Sequence, residues 1–441
     1  VPLDPGQEDY SVVAPAGFYY AYTWLPDFDL MGAHTVCGGD PACEDHSLQY
    51  IWLQADEHLE GVDIADWHVP ETPLLALSGR LFDGTGADPI DDAVVIIWDQ
   101  HIVALGPAAE LPVPARARHH DLPGTTILPG LINTHVHNAY LSENLQAWAS
   151  AGVTTVRDLG APVTLPWDRL RGRLRNDPRH ARVLAAGPLV TCPGGYPIAG
   201  NNFPSLTVDS AEQARREIDE LIDRGADVIK IVIESGVGEL LSVELATVIV
   251  DTAHARDVPV TVHLVLERDL RSALAAGVDD IAHMVLDHVP DELIQRMVDA
   301  GVGWVPTLGP LDGNGAQMYD NLERFVAAGG RVAMGNDAGY LDGLVIGMPL
   351  PELERMELAG MTPTEIIIAS TRDAAIVCHR QHLLGTLAPG MLADILVVDG
   401  DPLSDLQALD AVRLVLHGGQ VIRQQQSSPR RPRGRAPHGV P

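Results

Sequence analysis

Six residues of this 441-residue chain could hold divalent cations if folding brought them together: His135, His137, Lys230, His263, His283 and Asp337. His135 and His137 lie two apart in the apolar run GLINTHVH. Side chains alternate along a strand, so both imidazoles would project from one face and reach one ion. Alone, such a pair is weak evidence, because two surface or core histidines give the same pattern. Neutral imidazoles together with an aspartate make a donor set suited to zinc or another borderline divalent ion. Lys230 is different, since an ammonium cannot ligate a cation. It is either neutral, or converted by CO2 to a carbamate able to bridge two ions about 3.5–4 Å apart, or charged and ion-paired inside the fold.

Lys230 is also the only lysine, the other 28 of the 29 basic residues being arginine. A chain that uses arginine for every generic cation keeps a lysine by chance or where a primary amine is required, because a guanidinium neither lowers its pKa nor reacts covalently in the same way.

The elements that must position these groups can be read from periodicity. Between about residues 129 and 380, short apolar runs alternate with helical segments, which predicts repeated βα units and a parallel sheet. The runs are GLINTHVH, VTTVRDLG, RVLAAGPLV, DVIKIVI, PVTVHLV, DIAHMV, GWVPTL and RVAMGNDAG. Segments such as AEQARREIDELIDRG and PDELIQRMVDAG repeat apolar residues at three- and four-residue intervals. Eight strands over about 250 residues predict a (β/α)8 TIM barrel, whose chemistry sits at the C-terminal ends of the strands. A doubly wound open sheet is the alternative, although no glycine-rich phosphate loop follows the first run. The six candidate residues fall on five of the runs, near those ends.

Flanking this region, LLALSGRLFDG and AVVIIWDQHIVALG on one side and LADILVVDG and VRLVLHGGQVI on the other read as strands. They predict a small β-sandwich assembled from residues 73–128 and 381–425 around a central unit, 129–380. Residues 1–72 are acidic and aromatic without clear periodicity. The tail, 426–441, with Arg430, Arg431, Arg433 and Arg435, reads as disordered.

A formal net charge of −31 excludes nucleic acid and anionic lipid as expected partners and points to small molecules. No apolar run reaches the ~20 residues that span a bilayer, and the first thirty residues lack a basic start followed by an apolar stretch, which favours the cytoplasm and leaves export open. Cys37 and Cys43, in CGGDPAC, either close a small loop or are two thiols.

Taken together, LPGLINTHVH, TTVRDLG, ADVIKIV, VTVHL, DIAHM, GNDAG, GMTPTEIIIASTRDAA and LGTLAPGMLADILVVDGDP resemble the amidohydrolase superfamily, in its imidazolonepropionase-like and prolidase-like branch, over roughly residues 74–425. The resemblance implies that His135 and His137 bind one divalent ion with Asp337, that His263 and His283 bind a second, and that a carbamylated Lys230 bridges them. It also implies hydrolysis of a carbon–nitrogen bond of a small-molecule amide, such as a dipeptide or N-acyl amino acid, by a hydroxide held between the ions, with Asp337 as general base and then general acid. Homo-oligomers are common for such enzymes. In TCPGGYP, Tyr196 stands where many relatives carry a glycine-histidine segment facing the substrate. A substrate carboxylate needs a partner, and Arg157 is either that partner or a structural ion pair with the neighbouring Asp158. Tyr140 either lines the pocket or packs. Other readings are a mononuclear deaminase or cyclic-amide hydrolase, which has no use for Lys230, a lactonase or phosphotriesterase, and a non-catalytic binding protein.

Overall fold

The computed structural model describes residues 17–25, 30–34, 50–53, 58–60, 62–68 and 74–425, apart from 312 and 314. Cys37, Cys43 and the arginine-rich tail lie outside these residues. Among the described residues no helix is long and apolar enough to cross a membrane.

The strands of the parallel region pair in the order of the sequence, except that Val190–Thr191 lies between Leu206–Thr207 and Ile229–Val232. Leu131–Val136, Val153–Asp158 and Arg182–Ala185 form one parallel sheet, and Ile229–Val232, Val260–His263, Asp280–Ala282 and Gly303–Val305 continue in a second. Backbone bonds connect the two, since the Asp227 amide donates to Ala185 O at 2.8 Å. The intervening helices match the periodic segments: Ala211–Asp223 and Val243–His254 begin where Ser210 and Ser242 accept a hydrogen bond from the backbone amide three residues on. The third run is interrupted. It gives Arg182–Ala185 and then the two-residue Val190–Thr191, because Gly187 turns with φ 72° and Pro188 has no amide to donate.

The eighth run, Arg331 to Gly339, holds no regular strand, yet its backbone is bonded on both sides. Ala333 N donates to Trp304 O at 3.0 Å, while Thr134 N donates to Met334 O and Asp337 N to His135 O, each at 2.9 Å. Close approach explains both the irregularity and the glycine in it, for a Cβ on Gly335 would lie 2.8 Å from His135 Cβ and 3.0 Å from its amide nitrogen.

Segments on either side of the parallel region meet in one seven-stranded sheet, ordered Gln420–Gln424, Val412–His417, Ile395–Asp399, Arg118–Pro129, Leu75–Leu81, Ile90–Trp98 and His101–Pro107. Both faces are covered, which is why the runs look continuously apolar. Val95, Ile97, Ile395 and Val397 enter one core, whereas Val94, Ile96 and Trp98 enter another on the opposite face. The N-terminal segment, which shows no periodicity in sequence, carries among its described residues five short strands in two antiparallel sheets. Gly17–Tyr20 pairs with Tyr50–Leu53, and Leu30–Ala33 lies between Tyr22–Leu25 and Asp66–His68. Runs of three to four residues are too short to display a period of two.

A polar lattice crosses the interior of the parallel region. Arg157 Nη1 and Nη2 donate to the two carboxylate oxygens of Asp280, each at 2.8 Å, and Nε donates to Thr134 O at 2.6 Å. Thr261 Oγ1 also donates to Asp280, at 2.6 Å. The first, second, fifth and sixth strands are thereby tied through side chains, with both charges almost completely buried. Asp280→Ala leaves the guanidinium buried and unpaired, and is expected to destabilise the fold by about 3–5 kcal/mol. The denaturation midpoint of the variant measures this, and a loss below about 1 kcal/mol would assign the pair no structural weight.

Candidate metal centre

The candidate ligands converge at the C-terminal ends of the strands. His135 is inside the first strand and His137 one residue past its end, Lys230 is inside Ile229–Val232, His263 ends Val260–His263, and His283 follows Asp280–Ala282 by one residue. His283 and Asp337 both have left-handed backbone, φ 74° and 58°, unusual for non-glycine residues and held here by hydrogen bonds to neighbouring strands. His283 N donates to Val305 O at 2.9 Å, and Trp304 Nε1 donates to His283 O at 2.8 Å.

Asp337 is the hub. Its Oδ1 lies 3.1 Å from His135 Nε2 and 3.0 Å from His137 Nε2. His135, His283 and Asp337, all buried, offer ligand atoms within 4.8 Å of one another, a geometry that one ion could satisfy. The His135 and His283 rings are 4.9 Å apart, and the His263 ring meets that of His283 edge-on at 4.6 Å. Lys230 is only 2% exposed, and its charge acts on all four imidazoles. The structure therefore brings together all six residues singled out by type and spacing.

Burial sets their protonation. It pulls His135 down to about 3 against the pull of Asp337, lowers His263, and takes His283 well below its ordinary value. These rings are neutral at pH 7 and carry free lone pairs. Burial also works against the charged form of His137, but the hydrogen bond and charge of Asp337 outweigh it and the net shift is upward. Burial alone would raise the Asp337 carboxyl, yet His135 and His137 hold it well below the usual carboxylate range. Lys230 falls to about 7, chiefly through burial and in spite of Asp280 and Asp337.

Two polar atoms in this cluster have no hydrogen-bond partner, Lys230 Nζ and His135 Nδ1. Native interiors rarely leave such groups unsatisfied, and these two have a bonding capacity that the neighbouring side chains do not meet. Four imidazoles, a carboxylate and an unpartnered amine fit a divalent-ion centre chemically.

Of the three expected substrate contacts, one keeps a place beside the ligands. Tyr196 is half-buried and stacks on His263, with ring centroids 4.8 Å apart. Tyr140 is buried in the main core, its hydroxyl unpartnered, and takes the packing role. Arg157 takes the structural role, with Asp280 rather than the adjacent Asp158 as partner and its side chain almost completely buried. Asp158 instead accepts the amides of Ala139 and Gly160 at 2.9 and 3.2 Å.

Sequence reading missed four residues here. Glu234 Oε2 lies 3.6 Å from His263 Nε2, and Glu234 shares the parity of Lys230, a signal that was available. Thr307 Oγ1 is 2.7 Å from His283 Nδ1. Tyr340 stacks on His137 at 4.8 Å. Arg268, an exposed cation beside this end of the site, donates from Nε to Ser235 Oγ at 2.6 Å.

Comparison with known proteins places the chain in a family. The profile of the Amidohydrolase family matches residues 126–422. Ochratoxinase from Aspergillus niger is 25% identical over 425 residues, covering 78% of this chain and 86% of that protein. Imidazolonepropionase from Geobacillus kaustophilus is 25% identical over 392 residues, covering 76% and 90%. A solved Xaa-Pro dipeptidase with methionine bound in its active site superposes with a TM-score of 0.69 at 22% identity, covering 79% of this chain and 99% of that one. These likenesses give a TIM-barrel-like α/β fold.

Hydrogen bonds to the far nitrogen of a ligating histidine fix its orientation and tautomer. Thr307→Val removes the partner of His283 Nδ1 and is expected to weaken binding of a divalent ion by about 10–100-fold. Equilibrium dialysis with Zn2+ or Co2+ reads this directly; unchanged affinity would take His283 out of the ligand set.

Proposed function

The chain belongs to the amidohydrolase family and is a hydrolase acting on carbon–nitrogen bonds, and from that premise we propose that it cleaves the amide of a dipeptide or N-acyl amino acid at a binuclear centre. In this reading two divalent ions, zinc being the best match to the donors, would be held by His135, His137 and Asp337 on one side and by His263 and His283 on the other. Lys230, converted to a carbamate, would supply anionic oxygens to the ions. Its neutral amine adds to CO2, forming an N–C bond and releasing one proton. The observation that carries the reading is the buried, unpartnered Lys230 amine, whose charge acts on all four of those imidazoles and which would be costly to keep as an ordinary ammonium. Its lowered pKa, about 7, makes the reactive neutral form abundant near neutrality.

When bound, the ions supply Lewis-acid polarisation of the scissile carbonyl and lower the pKa of a water toward 7. The protein does the rest. Asp337 is ionised at neutral pH and can take a proton from the attacking water, then return it to the leaving nitrogen. Thr307 holds the His283 ring, and Glu234 faces His263. Arg268 replaces Arg157 as the proposed partner of a substrate carboxylate. The proposed architecture is a closed eight-stranded barrel at 129–380 carrying a two-layered sandwich from 73–128 and 381–425, with 1–72 as an added segment and 426–441 as a tail.

The compactness of His135, His283 and Asp337 favours one second reading, a mononuclear enzyme. Metal content of protein purified without chelator separates them, at about two ions per chain or about one.

Asp337→Asn is expected to lower kcat by at least about 100-fold, since positioned proton transfer contributes about 10²–10⁴-fold; full activity excludes the role. Lys230→Ala is expected to lose metal and activity together and to recover part of both when a small carboxylic acid is supplied. An active enzyme whose intact mass, taken without acid, shows no CO2 adduct would rule out the carbamate.

A further inference from the structure

Nine large apolar side chains are exposed among the described residues, and all except Leu59 and Leu358 lie on loops following the first, second, fourth and eighth runs, at the end where the candidate ligands gather. Scattered exposed apolar residues are ordinary. Concentration around one opening is not.

Two of the rings at this opening are stacked on candidate ligands. Tyr340 lies against His137 with centroids 4.8 Å apart and planes 24° from parallel, and Tyr196 lies against His263 at 4.8 Å and 22°. Phe203 packs edge-on to Tyr340 at 5.4 Å. Both tyrosines are tethered at their hydroxyls: Tyr340 donates to Gly160 O at 3.2 Å, and Tyr196 accepts from Asn201 Nδ2 at 2.9 Å. Their ring orientations are thus fixed, while 40% of Tyr340 stays open to solvent. The lips continue outward. Val163 N donates to Pro204 O at 2.9 Å, joining the second loop to that of Phe203, and Val237 lies close against Gly200 in the Tyr196 loop.

We propose that these aromatic lips form a cleft for a flat apolar group of the substrate, so that the preferred substrate is an amide bearing a phenyl or similarly large ring next to the scissile bond. This rests on the hydrolase reading above and names its substrate class. Because the rings stack on imidazoles of the candidate centre, a group held against them lies beside that centre. A phenyl group there covers exposed ring faces that a glycyl residue leaves wet, and the side-chain burial favours it by about ten-fold or more.

The test compares kcat/KM for N-acetyl-L-phenylalanine and N-acetylglycine, with calorimetric binding of L-phenylalanine and glycine in parallel, on the metal-loaded protein and on Phe203→Ala. Phe203 touches none of the candidate ligands among the ring contacts. The expected result is a preference of about ten-fold or more for the phenyl compound in both measurements. In Phe203→Ala the ratio moves toward one, mainly through KM. Equal rates for the two substrates, or a ratio that Phe203→Ala leaves intact, overturns the cleft while the hydrolase reading stands. If neither amide is cleaved but phenylalanine still binds better in a Phe203-dependent way, the cleft stands and the hydrolase reading falls. If phenylalanine binding also shows no preference, the cleft falls too. A stable dimer that Leu341→Asp converts to monomer would mean a second copy covers the lips, and would also overturn it.

Discussion

Arg157 and Asp280 form the contact on which the interior depends. Two opposite charges, both almost fully buried, meet through paired hydrogen bonds of 2.8 Å in the middle of the parallel strands. Taking either charge out of water alone would cost several kcal/mol, so each is tolerable only while the other is present. The pair also has a chemical consequence for its neighbour. Asp280 attracts Lys230, but its two oxygens already accept from Arg157 and Thr261, and the guanidinium repels the ammonium. The amine is left with no acceptor of its own. A buried lysine in that position titrates near neutrality instead of near 10, which is the condition under which an amine can act as something other than a cation.

The same desolvation shapes the rest of the centre. It keeps His135, His263 and His283 neutral, so a divalent ion need not displace protons from them, while the Asp337 carboxylate stays ionised through its two histidine contacts. Supporting groups hold this arrangement in place. Thr307 faces His283, and the loop just beyond it is fastened by Glu352, whose carboxyl accepts Leu308 N and Gly309 N at 2.6 and 2.8 Å. Burial pushes Glu352 up to about 7, and the amides offset only part of the shift.

Much of this was legible in the sequence, and the exceptions share a cause. Residue type, strand parity and the solitary lysine were local signals, and they led to all six candidate ligands. Arg157 was ambiguous because its partner is 123 positions away, whereas Asp158 is adjacent and was the natural guess. Tyr140 followed the histidine pair too closely for spacing to tell pocket from core. Glu234 could have been found, being four residues after Lys230 with side-chain alternation placing both on one face. Thr307 and Tyr340 could not, for nothing in a threonine or tyrosine after a strand indicates which imidazole it will meet. The eighth run reads in sequence as a strand but holds no regular one, since the crowding of Gly335 against His135 is a tertiary fact.

Scaffold and rim differ in how firmly they are held, and this bears on how one site could serve different substrates. His135, His283 and Asp337 have backbone hydrogen-bonded to neighbouring runs, as a centre with tolerances of tenths of an ångström needs. Tyr196, Phe203 and Tyr340 sit on the connecting loops, tethered by single hydroxyl bonds and by ring contacts. On the proposed reading, a change in loop composition would alter what the opening accepts without moving a candidate ligand, because the backbone bonds between neighbouring runs hold those residues. The exception is the pair of stacked contacts, Tyr340 on His137 and Tyr196 on His263, where rim and centre touch. There a substitution made to alter substrate choice also removes packing from an imidazole, so its effects on binding and on the centre cannot be independent.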